Sequence, residues 1–249
     1  MDSPPRLTVL ISGSGTNLQA VIDAIDAKTL PATVVRVLSN RKDAYGLERA
    51  KKAGIPTVYH NLLTYKKKHP NTEDGVKKAR EEYDTALARI VLDDKPDLVV
   101  CLGFMYVLSK KFLDPMAKAG LDTINLHPAL PGAFNGTHAI ERAQEAWLEG
   151  KVNKTGVMIH KVIAEVDMGE PILIREIPFI KGVDEDLEAL KERIHKIEWE
   201  VLSVDATCII CGAATLDWKV NYLIVDTMFW YGTLPIGPTE PIQYCEPPG

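Results

Sequence analysis

Short runs of β-branched and aliphatic residues alternate with amphipathic stretches along most of this chain, and that alternation limits the possible folds more than any other feature. "LTVLI" at 7–11 reads as a strand, "NLQAVIDAI" at 17–25 as a helix, "TVVRVLSN" at 33–40 as a second strand, "GLERAKKAG" at 46–54 as a helix ended by glycine, and "PTVYH" at 56–60 as a third strand. Strands joined through crossover helices run parallel in one sheet, with the helices covering its faces. "DLVVCL" at 97–102 and "DTINL" at 122–126 are short apolar runs suited to strands buried on both sides. "THAIERAQEAWLEG" then reads as a helix and "TGVMIHKV" and "EPILIREIPF" as strands. "DEDLEALKERIHKIEWEVLSVDA" reads as a long amphipathic helix with acidic residues in its first turn. The expected class is α/β: a Rossmann-like, mostly parallel, doubly wound sheet with helices on both faces. The polar segment "TYKKKHPNTEDGVKK" at 64–78 has no apolar period. It is expected to be a loop with solvated lysines, leading into the helix "AREEYDTALARIVL".

Neither an internal repeat nor a linker interrupts this pattern before Gly212, after which an aromatic stretch and a proline-rich end follow. A catalytic domain over 1–212 and an appendage over 213–249, with a short β-segment in it, are therefore expected. A net charge of −5 with no basic tract argues against a surface that neutralises many phosphates of a nucleic acid. Four cysteines do not make a disulfide framework. Cys101 sits in an apolar run, and Cys208 and Cys211, though spaced as a redox pair, lack a second pair for zinc ligation. With no signal-peptide pattern and no apolar run near the ~20 residues that span a bilayer, a cytoplasmic protein with no membrane partner is expected.

Three places carry chemistry. "LISGSGTNLQ" sets Gly13 and Gly15 between the first strand and the first helix, where free backbone N–H groups and the helix dipole suit a phosphate. The spacing is not that of a dinucleotide fingerprint, and there is no nucleotide-loop lysine, so a phosphomonoester is the better ligand; two glycines needed for a turn alone is the alternative. Asn125 and His127, in "NLHPALPG", stand two apart at the end of a strand, so both side chains point to one side at the carboxyl edge of the sheet, where such folds bind ligands. An amide donor and a proton-bearing ring together can stabilise an oxyanion on an attacked carbonyl, but a turn with a hydrogen-bonded histidine would look the same. Asp167, in "AEVDMGEPI", lies in a glycine-containing turn and could orient an imidazole or simply bond its own backbone.

In this order, "ISGSGTNLQ", "GFMYVLS", "NLHPALPG" and "DMGEPI" resemble the folate-dependent phosphoribosylglycinamide formyltransferases of purine biosynthesis, over about Leu7 to Ala206. The resemblance implies the formyltransferase fold, and transfer of a formyl group from 10-formyltetrahydrofolate, as co-substrate, to the amine of glycinamide ribonucleotide, without a metal, by a monomer or homodimer. It places the catalytic residues at Asn125, His127 and Asp167. The substrate phosphate falls on the amides of Gly13, Ser14, Gly15, Thr16 and Asn17, and the acid that holds the ribose on Glu198. The folate falls on Phe104, Met105, Tyr106, Val107 and Leu108, the loop before Asp167, and Arg80 near its tail. Tyr106 stands where arginine is common in the family. In this chemistry Asp167 would hold His127 in its charged form, while His138, His160 and His195 also fall near the site, with structural roles as the alternative. Formyltetrahydrofolate hydrolases and methionyl-tRNA formyltransferases share the Asn-His-Asp centre but carry a further domain, and are the less expected readings. A non-catalytic binding protein that kept the pocket is another.

Overall fold

The computed structural model describes residues 3–205 together with residues 223 and 224. Its sheet has eight strands in the order β3-β2-β1-β4-β5-β6-β7-β8. The strands are β1 (Arg6–Ile11), β2 (Thr33–Ser39), β3 (Thr57–Tyr59), β4 (Leu98–Cys101), β5 (Asp122–His127), β6 (Lys154–Lys161), β7 (Pro171–Pro178) and β8 (Leu223–Ile224). The helices are α1 (Thr16–Asp26), α2 (Tyr45–Lys52), α3 (Leu62–Lys66), α4 (Glu73–Asp93), α5 (Lys110–Lys118), α6 (Ala139–Leu148) and α7 (Leu187–Glu200), and a π-helical turn, Val201–Asp205, follows α7. Strands β1 to β5 pair in parallel, as crossover connections require. β6 is antiparallel to both β5 and β7.

Two apolar layers sandwich the sheet, because alternate residues of each strand face opposite sides. Leu7, Val9 and Ile11 of β1 pack with Leu18, Val21 and Ile22 of α1 and with Leu190 and Ile194 of α7. On the other side Leu10, Leu38, Val99 and Cys101 meet Tyr83, Leu87 and Val91 of α4 and Phe112 and Met116 of α5. Cys101 is buried, and burial pushes its thiol pKa up to about 12, which makes it an inert core residue.

The segment 64–78 is not one loop. Five residues of α3 lie over Leu62–Lys66, where Asn61 caps the N–H of Leu63. α4 begins at Glu73, because the Thr72 hydroxyl accepts from the N–H of Gly75 and two acidic residues occupy the first turn. The lysines here are exposed, as expected. Helix α5, capped by Ser109 and containing Pro115, was not foreseen. Of the expected appendage, Leu223–Ile224 forms the short β-segment, parallel to β7. The boundary at 212, Cys208 and Cys211 lie outside the described residues.

Candidate active site

At the carboxyl end of β1 the chain turns through the glycine loop into α1. Gly15, the N-cap, is left-handed at φ 71, and a β-carbon there would meet the Gly46 Cα at 2.5 Å. The close approach of α2 and the backbone conformation thus both demand glycine. No side chain caps α1 and no carboxylate occupies its first turn, so its N-terminal dipole is uncompensated by side chains. The loop is anchored from three sides. The Gly46 N–H donates to Gly13 O at 3.1 Å, Arg49 Nε donates to Ser14 O at 2.9 Å, and the buried Ser12 hydroxyl donates to Asn40 Oδ1 at 2.7 Å. That hydroxyl also accepts from the Met105 N–H at 2.7 Å, which ties the glycine loop to the 104–108 segment. Asn17 Oδ1 is buried without a hydrogen-bond partner. Ser12 and Arg49 carry no recognisable spacing and were missed in the sequence.

Asn125, His127 and Asp167 come together. In β5 the two-residue spacing sends Asn125 and His127 to the same side, and both reach one carboxylate: Asn125 Nδ2 lies 3.5 Å from Asp167 Oδ1, and His127 Nδ1 lies 3.5 Å from Asp167 Oδ2. The antiparallel pairing of β6 sets His160 directly opposite Asn125. His160 Nδ1 lies 2.8 Å from Lys161 O, and its Nε2 lies 3.1 Å from Asn125 Nδ2. The amide of Asn125 is thereby oriented, with its second N–H turned toward the carboxylate. His160 Nε2 is also 3.4 Å from Asp167 Oδ1. Asp167 sits in a left-handed turn at φ 54. Gly169 makes that turn possible, since a β-carbon there would overlap the Lys161 carbonyl oxygen at 1.7 Å.

The electrostatics separate these groups. Burial alone would raise the Asp167 carboxyl, but His160, the Gly136 N–H and His127 together hold it below its ordinary value, so it is ionised at neutral pH. His127 goes the other way: burial lowers its pKa below the ordinary 6.5 and outweighs the attraction of Asp167 and the Phe134 carbonyl, while His160 and Arg142 add repulsion. The resting imidazole is therefore held toward its neutral form. Burial of a ring with one nearby carboxylate costs the cation more than that carboxylate returns.

The remaining expected residues are spread around this centre. Phe104 is half-buried and Leu108 buried, while Met105 and Val107 are exposed and offer an apolar wall. Ile163, Val166 and Met168, also exposed, lie in the connection that carries Asp167. Arg80 Nη2 donates to Val107 O at 3.3 Å, and its guanidinium lies 5.1 Å from the Tyr106 ring centre. Burial, and then the nearby Asp84 carboxyl, raise the Tyr106 phenol to about 12. Glu198 is buried on α7, which packs against α1. The structure pairs it with His195, whose Nδ1 is 2.6 Å away and whose pKa is raised by that contact. His138 is exposed, caps α6 in a left-handed conformation and lies 3.8 Å from Glu141 rather than against the Asn-His-Asp group.

Residues 5–205 match the formyl transferase family. The chain is 53% identical over 198 residues to a phosphoribosylglycinamide formyltransferase of Schizosaccharomyces pombe, covering 79% of this chain and 92% of that protein. It is 42% identical over 207 residues to the enzyme of the same name from Saccharomyces cerevisiae, covering 81% of this chain and 95% of that protein. Among solved structures it is similar to glycinamide ribonucleotide transformylase 1 from Symbiobacterium toebii, with a TM-score of 0.70 and 32% identity, over 85% of this chain and 90% of that one. A glycine loop at an uncapped helix end, an Asn-His-Asp group at the neighbouring strand edge, and this breadth of similarity agree: the chain belongs to the formyl transferase family.

Proposed function

We propose that this enzyme transfers the formyl group of 10-formyltetrahydrofolate to the amine of glycinamide ribonucleotide, in purine biosynthesis. The observation that carries this reading is that Asn125, His127 and His160 all converge on the Asp167 carboxylate at the carboxyl edge of β5, in a sheet whose β1 ends in an anion-suited loop. The phosphate of the ribonucleotide is read onto residues 13–17, and its ribose onto Glu198. The pterin is read onto the apolar 104–108 wall and the connection before Asp167, and the folate tail toward Arg80.

The chemistry follows from the charges. An α-amino group with a pKa near ~8 is partly neutral at physiological pH and can attack the formyl carbon. The tetrahedral oxyanion takes the Asn125 N–H that otherwise makes the long 3.5 Å contact with Asp167, and a second hydrogen bond from the one N–H of His127, shared with the Phe134 carbonyl 3.3 Å away. Asp167, ionised, accepts the proton that the amine gives up. A proton returns to N10 of the folate as its bond to the formyl carbon breaks, so protons balance over the cycle. No metal enters this reading, and a cytoplasmic location goes with it.

The test mixes purified protein with 10-formyl-5,8-dideazafolate and follows deformylation by absorbance, with and without glycinamide ribonucleotide. Turnover that requires the ribonucleotide is the expected result. Deformylation at the same rate without it would make the protein a hydrolase, and none in either mixture would make it a binding protein.

A further inference from the structure

The connection from β5 to α6 holds an unusual run of backbone. Phe134 (φ 50), Gly136 (φ 83) and His138 (φ 56) are all left-handed. For the two residues that carry a β-carbon this conformation is costly, and it persists where the surroundings impose it. The imposing group is Arg142, in the first turn of α6. Its Nη2 lies 2.7 Å from Phe134 O, 2.7 Å from Asn135 O and 2.9 Å from Thr137 O, so two N–H bonds are shared among three carbonyls. The guanidinium also lies 6.0 Å from the Phe134 ring centre. Among the described residues it makes no salt bridge, and the hydrogen bonds of its Nη2 all go to this one loop.

The loop in turn holds both reacting groups. The Phe134 carbonyl that Arg142 grips is the one that faces His127 Nε2 at 3.3 Å. Two residues on, the Gly136 N–H donates to Asp167 Oδ2 at 2.7 Å, the oxygen that faces His127 Nδ1. A single side chain thus fixes the partner of the imidazole on one side and the partner of the carboxylate on the other. We propose that Arg142 is a positioning residue for formyl transfer, which clamps the 134–138 loop so that His127 and Asp167 keep their mutual geometry. This rests on the reading of those two residues as the reacting groups. Lysine is the poorer clamp, because its ammonium ends one bond short of the Nη2 position and offers no planar group to lie toward the Phe134 ring.

The experiment compares Arg142→Ala, Arg142→Lys and Asp167→Asn in the formyl-transfer assay. Misplacement of reacting groups by about 1 Å lowers turnover by as much as ~100-fold, so Arg142→Ala is expected to lose roughly 10- to 100-fold in kcat with KM for both substrates unchanged. Millimolar methylguanidinium should restore part of that kcat to Arg142→Ala and none to Asp167→Asn, and Arg142→Lys should fall between alanine and wild type. Wild-type kcat in Arg142→Ala, or a loss shared by kcat and both KM values that methylguanidinium does not restore, overturns the proposal. If the alanine variant does not fold, Arg142→Lys decides: reduced kcat at unchanged KM supports the clamp, and wild-type kcat refutes it. Near-normal turnover in Asp167→Asn would instead overturn the reading on which the clamp rests.

Discussion

His127 is neutral at rest because it is 5% exposed, and one carboxylate at 3.5 Å does not offset the loss of water around a cation. In an NMR titration of the free enzyme, the ring of His127, assigned by its loss in His127→Gln, should titrate below 6.5. In Asp167→Asn it should move lower still, since the carboxylate is what holds it up. A midpoint above 6.5 would restore the charged form as the working state. Kinetically, Asp167→Asn should lower kcat by roughly 100-fold, the scale of lost acid-base assistance. His127→Ala should do similar damage, and the double variant far less than the product of the two, because groups acting as a unit are not additive. Losses that multiply would mean that the histidine works without that aspartate. The period of a strand is enough to put Asn125 and His127 on one side. That Asp167 joins them was legible through resemblance alone, since forty residues and a reversal of strand direction intervene. The roles of His160 and Arg142 depend on register and on loop conformation, which no local pattern encodes.

In the β1–α1 turn two glycines have different roles. At Gly15 a β-carbon would strike the Gly46 Cα at 2.5 Å in a left-handed backbone, whereas at Gly13 it would meet nothing within 4 Å. Gly15→Val is therefore a packing lesion, expected to lower Tm and to damage kcat and KM for both substrates together. Gly13→Ala should keep the wild-type Tm and raise KM for glycinamide ribonucleotide while leaving that for the folate unchanged, because a phosphate seated on the loop amides leaves no room for the methyl group. An unchanged KM in Gly13→Ala would make the loop a turn and nothing more. Elements with an apolar stripe were readable, but those held by caps were not. The first turn of α4 is solvated and lacks periodicity, so Thr72 and the acidic pair after it were the sole signals of its start. α5 is nine residues long with a proline inside, which reads as a breaker although Pro115 sits where the helix survives it.

For the molecule as a whole, the alternation of strand and helix is sufficient for a doubly wound sheet, yet it cannot show that β6 reverses, because β6 and β7 follow one another without a helix whichever way they run. That reversal matters, for it brings His160 across from Asn125 and hangs the Asp167 connection over the site. It also leaves β7 next to the sheet's edge, where β8 pairs with Leu173 and Ile174. An uncovered edge invites pairing with another chain, but β7 carries Arg175 and Glu176 and is bounded by Pro171 and Pro178, features that blunt an edge. Asn125, His127, Asp167, the glycine loop and the family match all lie before residue 206. A chain ending at Gly212 should therefore fold, stay soluble and retain kcat and both KM values, with a modest drop in Tm for the two lost strand residues. Size-exclusion chromatography and the formyl-transfer assay on that truncation check this together. Aggregation would show that the segment from 213 onward is the cover that β7 needs, and lost activity in a soluble truncation would extend the catalytic domain past the boundary proposed at 212.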